Sequence, residues 1–187
     1  LFEWIDTANV DLKGFSHRFY HKLCQGRLAS VLETLQYLKQ ETNVWLEITN
    51  LLIPGENDSP EEIEAMCIWI REHLGPDAPI HFTAFHPDFK MRDVPPTPQS
   101  TLERARDQAI STGLPFVYID NVYDLQREST YCPSCGKRLI ERNCYELGQY
   151  NLRGNACRFC AHVIPGVFEE KPGHWGRQRR PLQIADR

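Results

Sequence analysis

Apolar residues recur along residues 1–125 in two alternating rhythms. Asn9-Val10-Asp11-Leu12-Lys13 reads as the end of a strand closed by Gly14. Leu28, Val31, Leu32, Leu35 and Leu38 then return at the three-and-four spacing that lines one face of a helix. Val44-Trp45-Leu46-Glu47-Ile48-Thr49, rich in β-branched and aromatic side chains, predicts the next strand, with a loop at Pro54-Gly55. The following helix is marked at both ends: Ser59 and Glu62 form a capping box, Pro60 takes the first helical position and Gly75 the stop. Between them Ile63, Met66, Cys67, Ile70 and Leu74 make one apolar face, which predicts a buried Cys67. Ile80 to Phe85 predicts a third strand, a helix runs from Thr97-Pro98 to near Gly113, and Phe116 to Ile119 predicts a fourth strand.

This alternation of strand and helix implies βαβ units and a parallel sheet, whose chemistry gathers at the carboxyl ends of the strands. The polar residues at those ends are Asp11 and Lys13, Glu47 to Asn50, His86 and Asp88, and Asp120 and Asn121. On a strand Asp11 and Lys13 share a face; they could hold a ligand's hydroxyl and carboxylate groups or simply form an ion pair. His86 could contact a ligand or cap a loop. Glu47 lies inside an apolar strand, where a charge is costly unless it is paired or lines a polar site.

The pattern changes after residue 129. Cys132, Cys135, Cys157 and Cys160 form two C-x-x-C pairs, with 21 residues between them. Each pair can aim two thiolates at one ion, and an intervening hairpin brings the pairs together as a tetrahedron. Four soft thiolates suit structural Zn(II) and leave no open coordination position, with a rubredoxin-like iron site or redox dithiols as the alternatives. Cys144 lacks a partner at this spacing and is expected to pack or face solvent. Three parts follow from the pattern: 1–125 as an α/β unit, 129–168 as a four-cysteine module, and 169–187 as a basic tail around Arg177-Gln178-Arg179-Arg180.

Composition narrows the function classes. The chain has 187 residues, 41% of them apolar and 25% charged, which fits a globular protein. A net charge of -4 argues against a general nucleic-acid coat or a polybasic membrane binder. No apolar run approaches the roughly 18 residues that cross a bilayer, and no signal-like core is present, so a cytoplasmic location is expected. The seven cysteines are odd in number, which disfavours a disulfide framework. Phosphate-loop, dinucleotide-turn, nucleophile-elbow and H-E-x-x-H patterns are absent, which disfavours a complete doubly wound enzyme built on another cofactor.

The order of the motifs resembles a family. ANVDLKGFSHRFYHKLC, then WLEITNLLIPGEND, then HFTAFHPDFKMRDVPPTP and the STYCPSCG…CRFC tail are similar to the AmmeMemoRadiSam system radical SAM enzymes, within the pyruvate formate-lyase activating enzyme group. The similarity runs over nearly all of residues 6–168. It implies the carboxyl-terminal half of a (βα) radical SAM barrel followed by a zinc-ribbon or rubredoxin-like module. It also implies an enzyme that uses a [4Fe-4S] cluster and a reductant to cleave S-adenosylmethionine (SAM) to a 5′-deoxyadenosyl radical. That radical abstracts hydrogen from a substrate, which in the activating enzymes is a glycyl residue of a partner protein. By the motif match Asp11, Lys13 and His86 would contact SAM, with Glu47 to Thr49 and the loop to Gly55 as adjacent wall. The family's C-x-x-x-C-x-x-C cluster motif is absent, so by the family's means the chain does not hold the cluster and is expected to be inactive alone. A start at LFEWIDTANV, without Met, leads to the expectation that a longer chain precedes it. The competing expectation is a zinc-bearing scaffold that only mediates interactions, although a half barrel would leave strand edges exposed.

Overall fold

A computed structural model describes residues 2–171 and 173. Of the expected basic tail, 172 and 174–187 lie outside the described residues. The chain divides into two compact units between Arg127 and Glu128.

The first unit is built on β1 (Thr7–Asp11), β2 (Trp45–Leu52), β3 (Ile80–Ala84) and β4 (Val117–Asp120), hydrogen-bonded in that order with every neighbour parallel. Parallel neighbours need crossovers, and helices supply them. A short turn of helix, α1 (His17–Phe19), runs on as a π-turn to Cys24 and is followed by α2 (Leu28–Glu41). Then come α3 (Pro60–His73) and α4 (Gln99–Ser111). The apolar stripes of α2, α3 and α4 join Leu46, Ile48, Leu52, Ile80, Phe82, Ala84, Val117 and Ile119 in one core, so all three helices cover the same face of the sheet. Burying a Leu, Ile or Phe side chain in such a core stabilises by about 1.5–3 kcal/mol, the main term holding the layers together.

Two expected details differ. Ser59 caps α3 by accepting from the Glu62 amide at 3.2 Å, but Glu62 does not complete the box. Its carboxylate instead accepts from the Phe15 amide at 2.6 Å, satisfying a backbone donor in the loop after β1. Likewise α4 starts at Gln99 rather than at Thr97-Pro98, because the Thr97 hydroxyl has tertiary partners. It donates to the Leu52 carbonyl at 2.6 Å and accepts from the Phe85 amide at 2.9 Å, tying the exits of β2 and β3 together.

The conformation of the segment around α1 depends on close packing. A Cβ on Gly14 would come within 2.7 Å of the Phe19 ring, so glycine is what lets that ring close over the β1 exit. The Lys13 amide donates to the Tyr20 hydroxyl at 3.1 Å, and burial pushes the Tyr20 pKa up to about 12.

The second unit is an antiparallel meander of β5 (Thr130–Tyr131), β6 (Arg138–Asn143) and β7 (Glu146–Tyr150), then a two-stranded β8 (Leu152–Arg153) and β9 (Ala156–Cys157). The β6–β7 turn holds exposed Cys144 at a φ of 51°, its amide donating to the Glu128 carboxylate at 2.7 Å.

Candidate functional site

Strand alternation gives the parallel sheet two unlike faces. One is the apolar layer under the helices. The other carries Asn9 and Asp11 from β1, Trp45, Glu47 and Thr49 from β2, His81 and Thr83 from β3, and Tyr118 and Asp120 from β4. The parallel register sets these residues opposite one another: Asn9 with Glu47, Thr49 with His81, Thr83 with Asp120. Parallel sheets are ordinarily covered on both faces by apolar layers.

His81 is at the centre of this face. Its Nδ1 lies 2.8 Å from Asp120 Oδ2 and its Nε2 3.2 Å from Glu47 Oε2. The other Glu47 oxygen accepts from Trp45 Nε1 at 3.0 Å, and the Tyr118 ring lies against the imidazole at 4.9 Å between centroids. Burial alone would lower the His81 pKa, but the bonds to Asp120 and then Glu47 outweigh it and raise the value from 6.5 to about 9. Carboxylates only accept, so two of them on one ring call for two N–H donors, the imidazolium form. The charge of Glu47, singled out in the sequence as costly in its strand, is compensated here. His81 escaped notice because its partners lie 34 and 39 residues away in the chain. The available signal was parity: Glu47 and His81 each sit between apolar neighbours and Asp120 follows Ile119, all on the outward phase of consecutive strands.

The strand exits form a rim. Asp11 ends β1, and Lys13, two residues on, holds it in an ion pair at 2.9 Å. His86 is exposed two residues beyond β3; the register sets Asp11 level with Thr49 and His81, so His86 stands two strands across from Asp11 and five residues further along the strand direction. Of Asp11, Lys13 and His86, each at or just beyond a strand exit, the structure brings only the first two into contact. Buried Asn57 ties the rim together: it donates to the Lys13 and Leu51 carbonyls at 2.5 and 2.9 Å and accepts from the Ile53 amide at 2.7 Å.

In the second unit the four cysteines converge. Cys132 and Cys160 Sγ are 3.6 Å apart, Cys135 and Cys157 Sγ 3.7 Å, and all four lie within 4.8 Å of one another. A tetrahedron with Zn–S bonds of ~2.3 Å has sulfur–sulfur edges of about 3.8 Å, so these thiols fit one metal ion. They are much too far apart for disulfides, whose S–S length is about 2.05 Å. Each pair is held by the same backbone turn. The Cys132 carbonyl accepts from the Gly136 amide and its amide donates to the Lys137 carbonyl, both at 2.9 Å. The Cys157 carbonyl accepts from the Ala161 amide at 2.9 Å and its amide donates to the His162 carbonyl at 2.8 Å. Among the described residues no other Cys, His, Asp and Glu side chains gather as a metal site, and Cys24, Cys67 and Cys144 stand outside this one. The chain's cysteines therefore do not fit a radical SAM iron–sulfur cluster.

No protein-family model matches the chain. It is 43% identical over 166 residues to the uncharacterized protein MJ0808 of Methanocaldococcus jannaschii, an alignment that takes in 88% of this chain and 49% of that protein. The chain thus spans about half the length of the curated relative it matches. In solved structures, a domain of pyruvate-formate lyase-activating enzyme from Bacteroides vulgatus aligns with a TM-score of 0.54. That alignment covers 62% of this chain and 68% of the domain, at 14% identity. The fold is therefore of the activating-enzyme type: an α/β parallel sheet, accompanied here by a four-cysteine module. No helix among the described residues is long and apolar enough to cross a membrane.

Proposed function

We propose that this chain supplies part of the barrel wall of a radical SAM enzyme of the AmmeMemoRadiSam group, with SAM held at the rim and substrate facing the polar side of the sheet. The observation that supports this reading is a fold of the activating-enzyme type in which the Asp11–Lys13 pair stands at the exit of β1 beside the polar face of the sheet, with His86 following β3. SAM bound there would supply a 5′-deoxyadenosyl group for hydrogen abstraction. Asp11 accepts hydrogen bonds from its ribose hydroxyls, Lys13 holds its carboxylate, and His86 closes the rim from the β3 side. The cluster that would reduce SAM finds no ligand set in this chain, so this chain's part is binding and orientation. The hydrogen donor is a group of a protein substrate, a glycyl residue in the activating-enzyme likeness, and an external reductant serves the whole enzyme. The four-cysteine site holds Zn(II) and orders a small module that helps to dock that substrate.

Calorimetric titration of SAM into the full-length protein tests the rim. His86→Ala and Lys13→Ala should each weaken binding about tenfold while thermal unfolding stays near the wild-type temperature. Unchanged SAM affinity in both variants overturns the assignment. The closed four-thiolate geometry also favours a second reading, a zinc-bearing scaffold. It would be preferred if the full-length protein failed to bind SAM yet lost partner binding on deletion of residues 129–187.

A further inference from the structure

Lys13 lies just past the end of a strand, yet the backbone on both sides of its Cα is bonded. β1 ends at Asp11, and the Leu12 amide still donates to the Thr49 carbonyl at 2.9 Å. From there on the partners are side chains. In the Leu12–Lys13 peptide the carbonyl accepts from Asn50 Nδ2 at 2.7 Å, and the amide donates to the Tyr20 hydroxyl at 3.1 Å. In the Lys13–Gly14 peptide the carbonyl accepts from Asn57 Nδ2 at 2.5 Å. A peptide group is planar, so bonds at its ends fix its orientation. With both flanking planes fixed, the direction in which the Lys13 side chain leaves the backbone is fixed as well.

The three side chains come from separate places: Tyr20 from the π-turn after α1, Asn50 from β2 and Asn57 from the loop before α3. All three are buried. Asn50 shows that the arrangement costs stability. It lies between buried Ile48 and Leu52 on the phase of β2 that faces the helices, and its buried Oδ1 has no hydrogen-bond partner among the described residues. A buried polar atom left unpaired is destabilising, a penalty that a side chain selected for folding alone would avoid. What the bonds secure is Lys13. Its ammonium has three N–H donors, of which Asp11 takes one at 2.9 Å, and the side chain is 35% exposed. Two donors are left for an anionic group, and a lysine already held in place loses less rotamer freedom when that group arrives.

We propose that Tyr20, Asn50 and Asn57 are positioning residues: they hold the backbone on both sides of Lys13 so that its ammonium, shared with Asp11, is preset for a carboxylate of the bound ligand. Being buried, none of the three is asked to touch that ligand. They act through the Lys13 backbone, as a shell that keeps a binding group in one geometry. The identification of the ligand as SAM rests on the function proposed above; the restraint on Lys13 rests on its own bonds. Asn57 also accepts from the Ile53 amide and so serves its own loop, which makes Tyr20 and Asn50 the cleaner positions to test.

Nuclear magnetic resonance on the zinc-loaded 187-residue chain reads the restraint without any ligand. The two Hε protons of Lys13 should have separate shifts, the signature of a held side chain, while those of exposed Lys39 average to one. Tyr20→Phe keeps the ring and removes the hydroxyl, and it should bring the two Lys13 shifts together. Asn50→Leu should do the same from the other end of the peptide, and it decides the matter if Tyr20→Phe folds poorly. Separate shifts that persist in a folded variant overturn the proposal. Calorimetric titration of SAM into the full-length protein reads the consequence through a double-mutant cycle. Tyr20→Phe should weaken SAM binding about fivefold when Lys13 is present and leave it unchanged in the Lys13→Ala background. Its effect on the unfolding temperature should be the same in both backgrounds, because the hydroxyl bonds the backbone whichever side chain stands at position 13. SAM losses of equal size in both backgrounds would give Tyr20 only a structural role and overturn the proposal. If the wild-type protein does not bind SAM, the identification of the ligand fails alone, and the Lys13 resonances still decide this inference.

Discussion

His81 links stability to pH through a single proton. Its folded pKa, about 9, lies above the ordinary value of 6.5, so the folded state holds the proton more tightly than the unfolded chain does. The stabilisation is fully present below about pH 6.5 and is lost as pH rises through about 9. The gap corresponds to roughly 3 kcal/mol as an upper bound. Urea unfolding at pH 6, 8 and 10 should show stability falling toward high pH, and His81→Gln should flatten that slope; an unaltered slope would assign it to other groups. Asn57 is a second residue whose importance comes from contacts distant in sequence. Asn57→Ala would orphan the buried Ile53 amide and release the Lys13 and Leu51 carbonyls, at a cost of about 3 kcal/mol in urea unfolding. Asn50 makes the contrasting case: its amide donates to the Leu12 carbonyl at 2.7 Å while its buried Oδ1 has no hydrogen-bond partner among the described residues.

At the scale of elements, the two metal turns repeat one backbone design with different residues at its left-handed position. Gly136 has a φ of 68° and Ala161 a φ of 59° in the corresponding place. An added Cβ at Gly136 would meet nothing within 4 Å, so only backbone preference distinguishes the two residues there. Gly136→Ala should destabilise the metal-loaded module by about 1 kcal/mol, and Ala161→Gly should stabilise it by up to about 1 kcal/mol. Thermal unfolding followed on module resonances measures both; like-signed effects would mean that the turns are not equivalent. The α3 terminus shows how an element recruits its neighbours. Ser59 was legible as a cap from its spacing alone, while the Phe15 amide that Glu62 accepts comes from 47 residues away.

For the whole molecule, the two compact units have different sources of stability. The parallel sheet has an apolar core drawn from its strands and three helices. The module from Glu128 onward has a small core including Leu139, Ile140, Leu152 and Ile164, and four thiols positioned for one ion. Small domains of this size commonly depend on a metal for folding. Removing zinc with a strong chelator should collapse the resonances of the module while those of β1 to β4 keep their dispersion. Simultaneous loss of both sets would show that the sheet depends on the metal as well. Elemental analysis of the untreated protein would distinguish zinc from iron.

The amino-acid sequence by itself determined the order of strands and helices, because periodicity, caps and glycine stops are local signals between residues within a few positions of one another. It also determined which four thiols converge, since two C-x-x-C pairs each carry their geometry in a short turn. Asp11, Lys13 and His86 could be assigned to strand exits for the same reason. Only the tertiary structure decided which polar residues meet. Sheet register places Glu47, His81 and Asp120 in one row, and nothing local to any of the three encodes that register. It also decided that Thr97 and Glu62 would serve the rim rather than their own helices, because a buried backbone amide without a partner costs more than an incomplete cap. The polar face of the sheet arises in the same way: a period of two in each strand gives every residue a side, and parallel pairing turns those sides into a single surface.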